Sequence, residues 1–278
     1  MMARIHVAGL GHRGTVKPGN DDHYCIGQWV EQSALVAVSF DTGAAFFRDY
    51  GLLAAVADGM GGYAGGAFAS RVALEILQAQ FYAERRGGCN REEFTGHIRH
   101  CLVQTQGLLA GALRRQQGLE DAGTTIAGVA MMPPDLLVVF HAGDSRVLLG
   151  CGGFVRALTV DHTPLGADLA AGRITEQEAA AIPGASRLTR SLGATVDCEV
   201  ELGSEQSWAA GDWLLAGTDG WHGPGRGLGR ASIRQALDRE PEVASLVSRL
   251  VAASVEADGV DNATLVAIRV EGGGDGGG

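Results

Sequence analysis

Four times in this chain an apolar, strand-like run ends, an aspartate follows, and a small or polar turn residue comes next. The sites are Asp58-Gly59 after Ala54–Ala57, Asp144-Ser145 after the run from Val139, Asp219-Gly220 after the run from Leu214, and Asp261-Asn262 after Val260. Adjacent carboxylates at Asp21-Asp22 add a fifth acidic site. A single Asp-Gly is a common turn dipeptide. Repeated at the ends of several strands, it constrains the fold, because carboxylates gathered on one sheet edge repel one another. Hard cations such as Mg²⁺ or Mn²⁺ relieve that repulsion, since they favour carboxylate and water oxygens.

The runs between these sites set the expected elements. Ala34–Phe40 and Leu52–Ala57 read as strands of a hairpin with a long loop, and Ser33–Gly51 as a loop longer than a minimal turn. From Ala67 to Arg86 the apolar period becomes helical, with Ala69, Val72, Ala73, Ile76, Leu77 and Phe81 on one face and Gly87-Gly88 as the stop. Asn90 and Glu93 form a capping-box pattern for a second long helix, with Leu108 among its apolar positions. Thr124–Met131, Asp135–Ala142, Arg146–Leu149 and Phe154–Leu158 read as an antiparallel meander. Thr175 and Glu178 form another capping box, Pro241 opens a final helix, and Thr264–Val270 is a last strand. No repeat or linker interrupts the pattern. The expectation is one layered α+β domain over residues 1–270, followed by a Gly-rich, disordered tail over 271–278.

Composition narrows the function classes. The net charge of −10 disfavours a nucleic-acid partner. The five cysteines are scattered and lack CxxC spacing, which points to a reducing cytoplasm and away from a zinc or disulfide framework. Neither a signal peptide nor a run of eighteen apolar residues is visible, so no membrane association is expected. There is no GxxxxGK[ST] loop and no HxxxH pair beside the aspartates. Gly59-Met-Gly61-Gly-Tyr-Ala64 matches a dinucleotide fingerprint in form, but the strand–helix alternation of a parallel sheet is missing, and Glu84 lies in a helical stretch.

In order along the chain stand Gly14…Asn20-Asp-Asp22, Val56-Ala-Asp-Gly-Met-Gly-Gly62, Gly123-Thr-Thr125, Ala142-Gly-Asp-Ser-Arg146, Leu158-Thr-Val-Asp-His162, Leu188-Thr-Arg-Ser-Leu-Gly193, Thr218-Asp-Gly220 and Asp261-Asn262. Over about residues 10–270 this series resembles the PP2C (PPM) family of metal-dependent Ser/Thr protein phosphatases in its bacterial form. The resemblance implies two packed antiparallel β-sheets flanked by helices, an α-β-β-α sandwich. It implies that Asp58 bridges two divalent cations, Mn²⁺ or Mg²⁺, that the Gly59 carbonyl binds one, and that Asp219 and Asp261 bind the other. Asp21 and Asp22 would stand near the pair, mostly through metal-bound water, and Asp144 with Asp219 would serve a weaker third site. The implied reaction is in-line attack by a metal-bridging hydroxide on phosphoserine or phosphothreonine.

Three positions depart from the family pattern. Lys17, the only lysine among 22 basic residues, stands where the family usually carries a phosphate-gripping arginine, and Arg13 is a nearby substitute. Met60 stands where animal members often carry a histidine, and the stretch 33–51 is long. His162 and His222 read as structural or surface residues, and Arg146 as orienting a carboxylate. Residues 162–193 correspond to the family's flap. The implied partners are phosphoprotein substrates and a Ser/Thr kinase system, for a monomer. The competing reading is a catalytically weak or inactive phosphoprotein-binding module, supported only by the change at Lys17.

Overall fold

The strand Leu52–Ala57 is apolar at all six positions because both of its faces are covered. In a computed structural model describing residues 3–61, 65–182, 187–193, 199–203, 206–223 and 226–272, its alternate side chains enter two different cores. Leu53, Ala55 and Ala57 face a cluster built with the helices Gly65–Phe81 and Arg91–Arg115. Leu52, Ala54 and Val56 face a second cluster shared with the opposite sheet. The period of two along a strand divides one continuous apolar run between two layers.

Among the described residues, two large sheets form the middle of the molecule. One runs Phe154–Ala157, Arg146–Cys151, Trp213–Gly217, Ala263–Glu271, Arg4–His12 and Val36–Asp41 in spatial order. The other runs Glu201–Leu202, Leu136–Ala142, Ile126–Met132, Leu52–Ala57, His23–Ile26 and Trp29–Glu31. Every pairing within them is antiparallel. Helices Arg230–Arg239 and Val243–Ala257 cover the outer face of the first sheet through Ile233, Leu246, Val247 and Leu250. The result is the expected α-β-β-α sandwich. The dinucleotide reading fails on these strands: Leu52–Ala57 lies between antiparallel neighbours, so there is no parallel βαβ crevice to take a pyrophosphate. Gly62, Tyr63 and Ala64 of that match lie outside the described residues.

Several local expectations need correction. Ala34–Phe40 and Leu52–Ala57 do not form a hairpin. Val36–Asp41 pairs with Arg4–His12 in the first sheet, and a short helix, Ala45–Tyr50, leads the chain across to the second. Val36–Asp41 alternates between half-buried and exposed positions, as an edge strand does, whereas Leu52–Ala57 is buried throughout. The stretch 33–51 is therefore structural and not an inserted loop. The four-strand meander is two hairpins in different sheets, joined at Gly143-Asp144-Ser145, where the chain crosses between layers. The first long helix ends at Phe81, five residues early, because Arg86 turns back to donate its backbone N–H to the Asp49 carbonyl. Leu108 is exposed while Leu109 faces the core. Pro241 lies just before the final helix, whose first turn is capped by the Glu242 carboxylate. Helix Arg230–Arg239 was not anticipated, because its buried stripe amounts to Ile233 alone. Both capping boxes form as read. The expected tail begins after the last strand residue, Glu271, and residues 273–278 lie outside the described residues.

Candidate active site

Antiparallel register explains how distant aspartates meet. Ala57 pairs with His23, so Asp58, which follows one strand, lies beside Asp22, which precedes the next. In the first sheet Gly217 pairs with Leu265, which brings Asp219 beside Asp261. Asp261 thus precedes its strand, Ala263–Glu271, instead of ending one as the sequence grammar suggested. Asp144 sits at the crossing between the sheets. These positions converge on one cavity of about 710 Å³, whose wall includes Lys17, Asp21, Asp58, Gly59, Asp144, Asp219, Arg226 and Asp261. Asp22 is fully buried, and its Oδ2 accepts a hydrogen bond from the Thr218 hydroxyl at 2.8 Å.

Backbone hydrogen bonds fix these carboxylates in place. The Asp58 carbonyl accepts from the Thr125 N–H and the Thr124 hydroxyl, both at 2.9 Å, while the Asp58 N–H donates to Thr125 Oγ1 at 3.0 Å. This is the purpose of Gly123-Thr-Thr125. The Asn262 amide donates to the carbonyls of Arg13 and Gly19 at 2.8 and 2.9 Å, and its Oδ1 accepts from the Asp21 N–H at 2.8 Å. One side chain thereby ties the loop carrying Lys17 and Asp21 to the strand carrying Asp261. Gly59 has no room for a side chain: a Cβ there would lie 2.2 Å from the Gly66 carbonyl oxygen and 2.6 Å from that of Asp21. The helix Gly65–Phe81 can start against the strand end only because both contacting residues are glycines.

The electrostatics are those of a cation site. Burial, and then the charges of Asp22, Asp219, Asp144 and Asp261, push Asp58 well above the usual carboxylate range. Burial foremost, with neighbouring carboxylates opposing ionisation, raises Asp22 to about 7 and Asp144 to about 8. Asp219 is raised by burial and by Asp261. Among the described residues, no hydrogen-bond donor reaches the buried Asp219 Oδ1. Four acidic side chains whose ionisation is suppressed by burial and by neighbouring charge, with unpartnered oxygens on Asp22 and Asp219 among the described residues, form a donor set suited to hard divalent cations. Asp261 is the exception. Burial would raise it, but Lys17, whose Nζ is 2.9 Å from Oδ1, and Arg226, whose Nη1 is 2.7 Å from Oδ2, hold it below the usual range. Arg226 also reaches Asp219 Oδ2 at 3.3 Å.

Arg226 was missed in the sequence. Its one signal was an arginine set among glycines seven residues after Asp219, and no periodicity marks such a position. Arg13 does not line the cavity; its guanidinium is 3.4 Å from the Pro18 carbonyl. Arg146 does orient a carboxylate: it grips Asp161 through two 2.7 Å hydrogen bonds and reaches Glu176 in the flap. Its Nη1 also lies 3.3 Å from His222 Nε2, and burial and that cation lower His222 to about 4. His162 and His141 stack with centroids 4.2 Å apart. Glu201 lies beside them, and the three side chains each offer one ligand atom within 4.8 Å of the others. The Gly143 N–H occupies His162 Nδ1, so His162 Nε2 carries its proton and donates it to Glu201. Of the stretch 162–193, expected from the resemblance to form a flap, the short helices Gly166–Ala170 and Glu176–Ala180 and residue Leu188, which reaches the cavity wall, are described; residues 183–186 lie outside the described residues.

A four-layer sandwich with acidic side chains gathered at the shared end of its sheets defines a metal-binding hydrolase scaffold, and the comparisons give it a family. The sequence model of protein phosphatase 2C matches residues 9–263, and the chain belongs to that family. PstP, a serine/threonine protein phosphatase of Mycobacterium tuberculosis, is 31% identical over 215 residues, 77% of this chain and 39% of PstP. The protein phosphatase PhpP of Streptococcus pneumoniae is 28% identical over 215 residues, 77% of this chain and 83% of PhpP. A Streptococcus pyogenes relative is 31% identical over 173 residues, so this chain spans 66% of that relative's length. The PstP catalytic domain, solved in complex with two manganese ions, superposes with a TM-score of 0.75 at 26% identity, covering 98% of this chain and 100% of that one. The Streptococcus agalactiae serine/threonine phosphatase superposes with a TM-score of 0.78 at 25% identity, covering 96% and 100%.

Proposed function

We propose that this chain hydrolyses phosphoserine and phosphothreonine esters in proteins with the help of two divalent cations. The observation that carries the reading is the convergence of Asp58, Asp144, Asp219 and Asp261, with Asp21 and Asp22 beside them, on one cavity that also holds Lys17 and Arg226. Asp58, with the Gly59 carbonyl, Asp219 and Asp261, would hold the two cations, and Asp144 with Asp219 would serve a weaker third. Such cations, when bound, supply an activated water and neutralise the charge that develops on the phosphoryl oxygens.

The chain's own residues do the rest. The Thr124 and Thr125 bonds fix the Asp58 backbone, so its carboxylate needs no reorganisation on loading. Asn262 holds the Lys17 loop over the site, placing an ammonium where the substrate phosphate enters. Met60 and Leu188 give the cavity an apolar border. Both Mg²⁺ and Mn²⁺ suit an all-oxygen donor set.

The free cysteines Cys25, Cys89, Cys101 and Cys151 support a reducing cytoplasmic setting, and no helix among the described residues is long and apolar enough to cross a membrane. A Ser/Thr kinase supplying the phosphoproteins, and action as a monomer, complete the reading. The gathering of Asp58, Asp144, Asp219 and Asp261 on one cavity favours this reading over the inactive-module alternative, whose one support is the change at Lys17. The test is hydrolysis of a phosphothreonine peptide with Mn²⁺ and with EDTA. Release of phosphate only with the metal is expected; absence of turnover in a protein that binds Mn²⁺ would overturn the proposal.

A further inference from the structure

Asp261 is held from both sides. Lys17 Nζ lies 2.9 Å from its Oδ1, and Arg226 Nη1 lies 2.7 Å from its Oδ2 and 3.3 Å from Asp219 Oδ2. Both basic side chains are partly exposed, at 44% and 37%, and both line the cavity. These are the same oxygens that a divalent cation would claim, and a cation there repels an ammonium or guanidinium within a few ångströms. Long, half-exposed side chains yield at little cost, and they turn toward the cavity, where the negative charge of an incoming phosphate lies. Of the two, only arginine presents a planar fork that matches two phosphoryl oxygens; lysine offers a point charge.

We propose that Arg226 is the bidentate phosphate-binding side chain of this site, reaching the substrate from the loop after Asp219 while Lys17 contributes charge alone. This assignment rests on the phosphoester-hydrolase reading above. It also gives a physical account of how a site with lysine at position 17 keeps a two-pronged grip. Arg226 belongs to a short ribbon in which Gly223 pairs with Arg226 and His222 with Gly227. Gly227 lies at φ 56°, with the Trp221 carbonyl oxygen 2.1 Å from where its Cβ would stand. The Arg226 backbone is therefore held by strand pairing.

The experiment uses the Mn²⁺-loaded full chain and inorganic phosphate as the probe, with calorimetry on the wild type, Arg226→Gln and Arg226→Lys. Phosphate affinity is expected to fall at least tenfold in Arg226→Gln and to be only partly restored in Arg226→Lys. Mn²⁺ affinity should stay unchanged or tighten slightly, because a competitor for Asp261 has been removed. With a phosphothreonine peptide, KM rises more than kcat falls. Phosphate affinity within twofold of wild type in Arg226→Gln would overturn the proposal. So would a parallel loss of Mn²⁺ affinity, which would make Arg226 a support for the carboxylates. Circular dichroism confirms that both variants fold. A wild type that binds Mn²⁺ and phosphate but cleaves no phosphopeptide would sink the hydrolase reading, while the phosphate affinities would still decide the role of Arg226.

Discussion

Asp219 offers the sharpest single-residue test, because among the described residues its buried Oδ1 has no donor, and burial and then the Asp261 charge raise its proton affinity. Asp219→Asn removes one repelling charge, so the metal-free variant should melt no lower than wild type. Its Mn²⁺-dependent turnover should fall by more than about a hundredfold, beyond the loss typical of residues that only support a metal ligand. Activity above a tenth of wild type would remove Asp219 from the metal site. Gly59→Ala tests the backbone instead. The new methyl group would collide with two backbone carbonyls, neither of which can rotate away, and overpacking of this kind costs about 1–3 kcal/mol. A lowered melting temperature is expected, and an unchanged one would mean that the helix start can retreat. Asp58, Asp144 and Asp219 were legible because each follows an apolar run. Arg226 was not, because a basic residue in a glycine loop carries no pattern until its partners are placed in space.

Among the elements, the chain after Phe154–Ala157 is joined back to the first sheet by the pair Arg146–Asp161, with both side chains about 95% inaccessible and two 2.7 Å hydrogen bonds between them. Asp161→Ala leaves a buried guanidinium with only Glu176 as a carboxylate partner, and breaking a buried pair costs about 3–5 kcal/mol. Urea unfolding should show that loss, and a loss below about 1 kcal/mol would mean that Glu176 alone suffices. Helix starts were readable to the residue at Asn90 and Thr175, where local capping chemistry fixes them. Strand partners were not. Val36–Asp41 and Leu52–Ala57 are close in sequence, but their burial patterns suit different sheets, and only assembly of the whole fold decides which neighbour each one takes.

Across the whole molecule, metal and protons compete for the same carboxylates. In the metal-free protein Asp144 and Asp22 keep protons up to about pH 8 and 7, whereas in the unfolded chain they ionise near the ordinary value of 3.8. Their contribution to stability is therefore present at low pH and is lost as pH rises through the folded values. His23 and His222, lowered to about 4 chiefly by burial, act the other way: they cost stability as pH falls from 6.5 toward 4. Subtracting the two melting curves cancels the histidines. The rise in Tm on adding Mn²⁺ should be larger at pH 8 than at pH 5.5, because fewer protons have to be displaced. A rise independent of pH would place the metal elsewhere. The layers were readable as a class because doubly buried runs require cover on both sides. Their connectivity was not, since the crossing at Gly143-Asp144-Ser145 looks like any other tight turn.

The strand Ala263–Glu271 lies in the interior of its sheet, between Trp213–Gly217 and Arg4–His12. During synthesis the first strand must therefore wait, with one flank unfilled, until residues 263–271 have left the ribosome. Asp261 and Asn262 arrive with that late strand, so a stalled or truncated product has neither a finished sheet nor a complete cage of carboxylates. Hydrolytic competence is thereby tied to the arrival of residues 261–271, and a fragment ending before residue 260 should be found as aggregated or degraded protein and not as a stray enzyme.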